Sequence, residues 1–398
     1  MRRILIGIGL AIAAGAFACA TLWPERLAVN APLLGMLMGA EPPAKSELER
    51  RMKVPEGFSI GVFAAGIKNA RFMRFTSAGD LLVSSPREGA VFLLERDANG
   101  DGRADGTRKL LLGLDRPHGL AFAGEWLYVA ETGAIKRVRF DAATRAVVGE
   151  PELVLGGLPI EGNHWTKTID LGPDGWLNIS IGSSCNVCLE DDERRATIAR
   201  LHPDGTGFEL YATGLRNSAG FDWRPADEAL FATDNGRDLL GDDFPPCELN
   251  RIEPGKFYGW PFVNGTGVPD PDFGGQGGEK AATTTPPAHG FGAHTAPLGM
   301  RLYRGTAFPE RYRDQAFIAL HGSWNRTTKS GYKVVLLEWP SDGGSIVESD
   351  FLTGFELDGN VIGRPVDVQD GPDGALYVSD DFGGAIYRVA YTGAGGAK

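Results

Sequence analysis

Gly371-Pro372-Asp373-Gly374-Ala375-Leu376-Tyr377-Val378, followed by Ala385-Ile386-Tyr387-Arg388-Val389, reads as a tight turn, an apolar strand, an acidic and glycine-rich turn, and a returning strand. Proline presets φ for a turn, aspartate bonds its own backbone, and glycine accepts a positive φ. The unbroken apolar runs predict strands buried on both faces. Gly172-Pro173-Asp174-Gly175-Trp176-Leu177-Asn178-Ile179, with Thr197-Ile198-Ala199-Arg200-Leu201 returning, repeats the unit. Looser copies lie at 78–83 with 89–93, 124–129 with 134–138, 226–232 with 248–252, and 312–319 with 332–337. With Val83, Val129, Ile179, Ala232, Ala319 and Val378 as equivalents, the steps are 46, 50, 53, 87 and 59 residues. A four-stranded propeller blade takes about 40 to 50 residues, and longer steps mean insertions. No extended helical periodicity recurs between the strands, which leaves a TIM barrel or a doubly wound sheet little support. The spacing predicts an all-β, six-bladed β-propeller over residues 55–391, its last blade closed by a strand from near the domain's N-terminus. The segment Pro269 to Pro287 is expected as a loop over one face.

Composition agrees with many short strands and tight turns. The 398 residues include 56 glycines and 25 prolines. A formal charge of -11 argues against nucleic acid as a partner, because phosphate binding needs a concentrated basic face.

Arg2 and Arg3 precede Ile4 to Trp23, twenty residues without a charge. This pattern predicts export, with residues 1–23 as a signal peptide or an N-terminal membrane anchor. Ala16-Phe17-Ala18 offers a cleavage signal before Cys19. A retained segment would leave everything after Trp23 outside the cytoplasm, in the periplasm or on the outer face of the cytoplasmic membrane. Residues 24–54 read as a linker with a short charged helix from Ser46 to Lys53, and 392–398 as a flexible tail. Cys185-Asn186-Val187-Cys188 is not a haem attachment motif, since Leu189 stands where histidine is required. A disulfide is expected at Cys185 or Cys188, with Cys247 as an alternative partner.

Several polar groups stand at corresponding strand ends, where a propeller's central mouth is lined. His164 precedes an expected inner strand, and a neutral imidazole accepts a proton near pH 7. Arg216 and Asn217 follow one apolar approach. Asp234 to Asp238, Glu248 and Tyr258 supply oxygens and a guanidinium suited to calcium beside an anionic ligand. His321 to Arg326, Arg364, Asp380 and Asp381 complete the set. Separately, Asp97, Asn99, Asp101 and Asp105 occupy positions 1, 3, 5 and 9 of a calcium-type loop, but Arg108 replaces the glutamate at position 12. That stretch reads either as a calcium loop or as an Asx-rich turn.

Gly162-Asn163-His164-Trp165, Gly214-Leu215-Arg216-Asn217, Asp234 to Asn250, Gly259-Trp260-Pro261, Gly363-Arg364-Pro365 and Asp380-Asp381-Phe382-Gly383-Gly384 resemble the soluble quinoprotein glucose and sorbosone dehydrogenase family. The resemblance runs from about Val54 to Ala390. It implies a six-bladed propeller holding pyrroloquinoline quinone (PQQ) and Ca2+, oxidising a sugar or related polyol and passing electrons to an external acceptor, a quinone or a cytochrome. It makes His164 the base and puts Arg216 on the quinone oxygen. It implies Asn217, Arg237, Arg364, Lys329 or Arg326, and Asp380 or Asp381 as cofactor contacts, and calcium near Gly236, Glu248 and Tyr258. Arg116 and His118 fall where the glucose enzymes carry a glutamine, which points away from glucose itself. A calcium-dependent lactonase or esterase propeller, or a glycan- or protein-binding propeller without turnover, is the competing reading.

Overall fold

The second strand of each blade is mostly apolar because both of its faces are buried. In Leu81–Ser85 all five residues are buried. Leu81 and Val83 pack toward one neighbouring sheet, and Leu82 between them packs toward the other. Side chains alternate across a strand, so a sheet sandwiched between two like sheets needs apolar residues at successive positions. Repeated around an axis, that requirement is a propeller.

The structure, a computed structural model, describes residues 28–32 and 40–393. Six four-stranded antiparallel sheets form the blades. Blade 1 comprises Met73–Phe75, Leu81–Ser85, Ala90–Leu94 and Thr107–Leu111; blade 2 comprises Leu120–Ala123, Trp126–Ala130, Ile135–Asp141 and Ala146–Leu155. Blade 3 holds Lys167–Leu171, Leu177–Ile181, Thr197–Leu201 and Glu209–Thr213; blade 4 holds Phe221–Trp223, Leu230–Asp234, Pro246–Ile252 and His289–Ala293. Blade 5 holds Pro297–Leu302, Ala316–Leu320, Lys333–Glu338 and Val347–Leu352. Blade 6 takes Pro365–Asp370, Leu376–Asp380 and Ala385–Tyr391 from the C-terminal end and Phe58–Ala65 from the N-terminal end. Phe58 pairs with Tyr391 and Ala65 with Ala385, so the ring is closed as expected.

Six apolar clusters fill the gaps between successive blades. The largest lies between blades 5 and 6, where Tyr303, Phe308, Tyr312, Phe317 and Phe351 meet. A short helix, Lys45–Arg51, adds Leu48 to that cluster, with Met52 just beyond it. Arg51 fastens the helix to Asn360 and to the Gly354 carbonyl. The insertion in blade 4 is more ordered than a plain loop. It carries a 3-10 turn at Gly274–Gln276 and a one-turn helix at Gly278–Ala282.

Among the described residues, no helix is long and apolar enough to cross a membrane. The apolar run Ile4 to Trp23 and the last five residues of the expected tail lie outside the described residues.

Candidate functional site

Two kinds of connection meet at one end of the axis. The segments entering the inner strands bring Asn69, Arg71, Arg116, Asn163, His164, Trp165, Asn217 and Arg364 there. The turns after the second strands bring Arg87, His321 and Asp381. Together they line a cavity of about 540 Å³. A larger cleft, about 1110 Å³, lies on the outer rim between blades 6 and 1. The axial cavity is the better site because polar side chains from all six blades or their connections converge on it, titratable ones from five of them.

His164 is held at one nitrogen. Its Nδ1 lies 2.9 Å from both the carbonyl and the hydroxyl oxygen of Ser183. The Ser183 hydroxyl donates to the Cys185 carbonyl at 2.8 Å. The carbonyl therefore accepts from Nδ1–H, which leaves Nε2 as the basic nitrogen. Burial, then the charge of Arg216, pushes the pKa of His164 down to about 3, so the ring is neutral at pH 7. Gly182 makes this packing possible. A Cβ there would lie 2.6 Å from the His164 Cβ and 2.8 Å from the Asn217 Oδ1.

The cavity lining includes four arginines, Arg71, Arg87, Arg116 and Arg364, and one carboxylate, Asp381. Asp381 accepts from His321 Nε2 at 2.9 Å and Arg71 at 2.8 Å. The hydrogen bond from His321 and the charges of Arg71 and Arg364 hold its carboxyl well below the usual range despite burial. Burial, followed by the charge of Arg364, pushes His321 down to about 4. Arg116 lies over the Trp165 ring, 3.8 Å from its centroid. Arg364 donates to the carbonyls of His321 and Gly322. His118 sits beneath the lining, its ring 4.4 Å from that of Phe72 and its Nε2 3.4 Å from Arg71. Burial lowers its pKa well below normal.

Other predicted contacts are placed elsewhere. Arg216 lies behind His164, outside the lining. Its five N–H donors are all engaged, by the Asn186 carbonyl and side-chain oxygen, the Asn235 and Gly236 carbonyls, and Asp238. In this structure its donors are all taken by protein oxygens, and its charge adds to burial in lowering the pKa of His164. Arg237 is consumed by Asp270 and Asp272, which anchor the blade 4 insertion. Arg326 pairs with Asp243 and the Asp242 carbonyl, and Lys329 donates to Asn30. Neither lines the cavity. Asp380 accepts from the backbone N–H groups of Arg364, Phe382 and Gly383, so it shapes the turn that presents Asp381. Cys185 and Cys188 form a disulfide across the loop that carries Asn186, and Cys247 is buried and free.

Among the oxygens expected around calcium, Glu248 is buried and takes N–H bonds from Asn250 and Gly265. Burial and the nearby charge of Asp234 push its pKa up to about 8. No basic side chain pairs with it among the described residues, and the buried Asn250 Oδ1 has no hydrogen-bond partner. The Gly236 carbonyl is taken by Arg216, and the Tyr258 hydroxyl bonds Arg251 and Glu253. The Asp97 to Asp105 turn lies at the other end of blade 1. Asp97 accepts from Gly100, Asp101 and Gly102, and Asp105 from Ala98 and Asn99, an Asx network closed on its own backbone.

Sequence reasoning missed Asn69, Arg71 and Arg87 and left out Ser183. Arg71 stands two residues before the inner strand of blade 1, as His118 does in blade 2. That shared offset was the available signal.

The profile of the TrAA12-like family matches residues 52–256 and 276–392. A Borreliella burgdorferi protein, itself uncharacterized, is 31% identical over 366 residues, 87% of this chain and 93% of that one. The Escherichia coli aldose sugar dehydrogenase YliI is 26% identical over 253 residues. That match covers 58% of this chain and 60% of YliI, less than two thirds of its length. The holo form of the pyranose dehydrogenase PQQ domain from Coprinopsis cinerea superposes with a TM-score of 0.72 at 22% identity. The superposition covers 88% of this chain and 98% of that domain.

Proposed function

The chain belongs to the TrAA12-like family, and from that premise we propose that it is a PQQ-dependent dehydrogenase of a sugar or related polyol. The observation that carries the proposal is one cavity in which four arginines and a single carboxylate surround a neutral imidazole. PQQ is a flat tricarboxylate, and this charge balance suits it. Arg71, Arg116 and Arg364 would hold its carboxylates, with Asn217 as a further contact. When bound, PQQ supplies the quinone that accepts a hydride equivalent from the substrate.

The chain's own residues do the rest. Nε2 of His164 takes the proton of the substrate hydroxyl, and Ser183 fixes the tautomer that leaves Nε2 basic. Burial, aided by the charge of Arg216, keeps the ring neutral before substrate arrives. Trp165 and Arg116, stacked together, form one wall of the cavity. Calcium would be held at Glu248, whose buried carboxyl has no cationic partner among the described residues and whose neighbour Asn250 presents an unpartnered oxygen. A hydrolytic propeller has less support, because only Asp381 brings a carboxylate to the lining. The aldose or sorbosone substrate type, the quinone or cytochrome acceptor, and export with residues 1–23 as signal or anchor belong to the same proposal.

The test is titration of the cofactor-free protein with PQQ, with and without Ca2+. Absorbance would be followed together with sugar-dependent reduction of an artificial acceptor. Saturable PQQ binding and acceptor reduction are expected. A protein that binds no PQQ at micromolar concentrations would overturn the reading.

A further inference from the structure

The chain segment before the helix at Lys45–Arg51 is fastened to the mouth of the axial cavity. Asn325 donates to the Ala28 carbonyl at 2.8 Å, and Asn30 N–H donates to the Trp324 carbonyl at 2.9 Å. The Asn30 side chain also donates to the Thr327 carbonyl and accepts from Lys329. Farther on, Ala40 N–H donates to the carbonyl of Phe382, a residue of the cavity lining. Residues 28–30 are thus tied to the blade 5 loop at Trp324 to Lys329, a few residues beyond His321, where that loop meets the blade 4 loop at Leu239 to Asp243.

That tie has a consequence for Ile4 to Trp23. Only five peptide steps separate Trp23 from Ala28. A fully extended chain rises at most about 3.6 Å per residue, so the mouth rim lies within about 18 Å of the end of the apolar run. The opposite face is a strand length farther away. In blade 5 the strand Lys333–Glu338 leaves the mouth and ends near the turn at Ser341 to Gly344. At about 3.3 Å per residue its six residues separate the two faces by roughly 20 Å.

The rim near the tie is also apolar where it is exposed. Val29 is 58% exposed, Trp324 42% and Leu239 40%. Asn325 holds all three together, since its Oδ1 accepts from Leu239 N–H while its amide holds Ala28. Scattered exposed apolar residues are ordinary, but a Trp, a Leu and a Val grouped at a membrane-proximal edge match an interfacial contact.

We propose that the rim formed by Val29, Leu239 and Trp324 rests on the lipid bilayer, so that the mouth of the cavity faces the membrane. The proposal depends on the reading of Ile4 to Trp23 as a retained anchor. It turns the linker into a short stem that fixes orientation, and it puts the cavity beside the lipid phase.

The test uses the full chain in vesicles of equal parts phosphatidylethanolamine and phosphatidylglycerol doped with a photoactivatable phospholipid. Cross-linked peptides are then mapped by mass spectrometry. Lipid adducts are expected on the peptides bearing Val29, Leu239 and Trp324, and not on those bearing Ser341 to Gly344 or Asp97 to Arg103. Asn325→Ala, which releases the stem, should lose that bias while the protein stays in the membrane fraction. Equal labelling of both faces, or labelling of neither, would overturn the proposal and leave the anchor reading standing. A mature protein that begins at Cys19 and stays in the soluble fraction would end the anchor reading, and the orientation with it.

Discussion

At the end of the axis away from the cavity, the inner strands also carry arginines and aspartates, but there they cancel. Arg74 meets Asp170 at 2.6 Å, Arg304 meets Asp222 at 2.8 Å, and Arg301 bridges Asp222 and Asp370. At the mouth, four arginines and one carboxylate line the cavity; Arg71 pairs with that carboxylate, Arg364 donates to two carbonyls, and Arg116 lies on an aromatic face. The same residue types therefore serve two ends. One end is neutralised internally. The other has more arginines than carboxylates in its lining, and such charge is stabilised when an anion arrives. This contrast separates a binding face from a structural one without reference to any relative.

The contrast can be attacked through the base first. His164→Ala should lower sugar turnover about 10²- to 10⁴-fold, the range for loss of a positioned general base. PQQ affinity and the unfolding midpoint should hardly move. Steady-state assays beside cofactor titration check both, and near-normal turnover at saturating PQQ would remove His164 from the mechanism.

Charge removal at the two ends should then give opposite phenotypes. Arg301→Gln breaks a buried network, and leaving Asp222 and Asp370 less compensated should cost about 3–5 kcal/mol of stability, with PQQ affinity unchanged. Arg116→Gln removes a cation that stacks on Trp165 without pairing an acid. It should weaken PQQ binding about ten- to a hundred-fold and cost little stability, since a hydrogen bond to a charged group contributes about 1.5–3 kcal/mol. Urea denaturation of the cofactor-free variants and PQQ titration decide it. If Arg301→Gln loses cofactor affinity as strongly as Arg116→Gln, the two ends are not distinct.

Acid should distinguish the ends as well, because the network of Arg74, Arg301, Arg304 and their aspartates contains no histidine. His321, facing Asp381, Arg71 and Arg364, is held near 4 against about 6.5 in an unfolded chain. The unfolded state binds the extra proton between those values. The neutral native ring thus contributes stability that is complete above pH 6.5 and is lost as pH falls toward 4. The loss should be about 2–3 kcal/mol, and His321→Gln should remove that part of the slope. Asp367 and Asp380, raised to about 7 by burial, have the opposite sign. For that reason the difference between wild type and variant is the informative curve. Identical curves would mean that the ring is not held neutral.

The smallest effect is expected at Lys329. Bound to Asn30 and outside the lining, it should tolerate Lys329→Ala with PQQ affinity changed less than about three-fold, the spread ordinary context dependence allows. A ten-fold loss would bring Lys329 back to the cofactor.

The blades were legible because burial on both faces forces apolar residues at successive positions, as in Leu81–Ser85 and Ala316–Leu320. The inner strands were harder to see. Met73–Phe75 and Phe221–Trp223 have three residues each and mix apolar with charged ones, which face the axis. With blade 1's inner strand unseen, Arg71 went unnoticed. The Gly182 contact with His164 was invisible for another reason: close approach between backbone and side chain leaves no periodic trace.

The residues by themselves determined the number of blades, the closing of the ring from the N-terminal side, and the residue types gathered at strand ends. These follow from local turn chemistry and from apolar patterning, both carried along the chain. Only the tertiary structure decided which charges meet an acid and which remain available to a ligand. Arg216, Arg237 and Arg116 look alike in sequence. One donates all five N–H groups to surrounding oxygens, one is clamped by two aspartates of a distant insertion, and one lies on a tryptophan facing the cavity. Electrostatic neutralisation depends on distances of a few ångströms between residues far apart in the chain, and those distances exist only once the ring has closed.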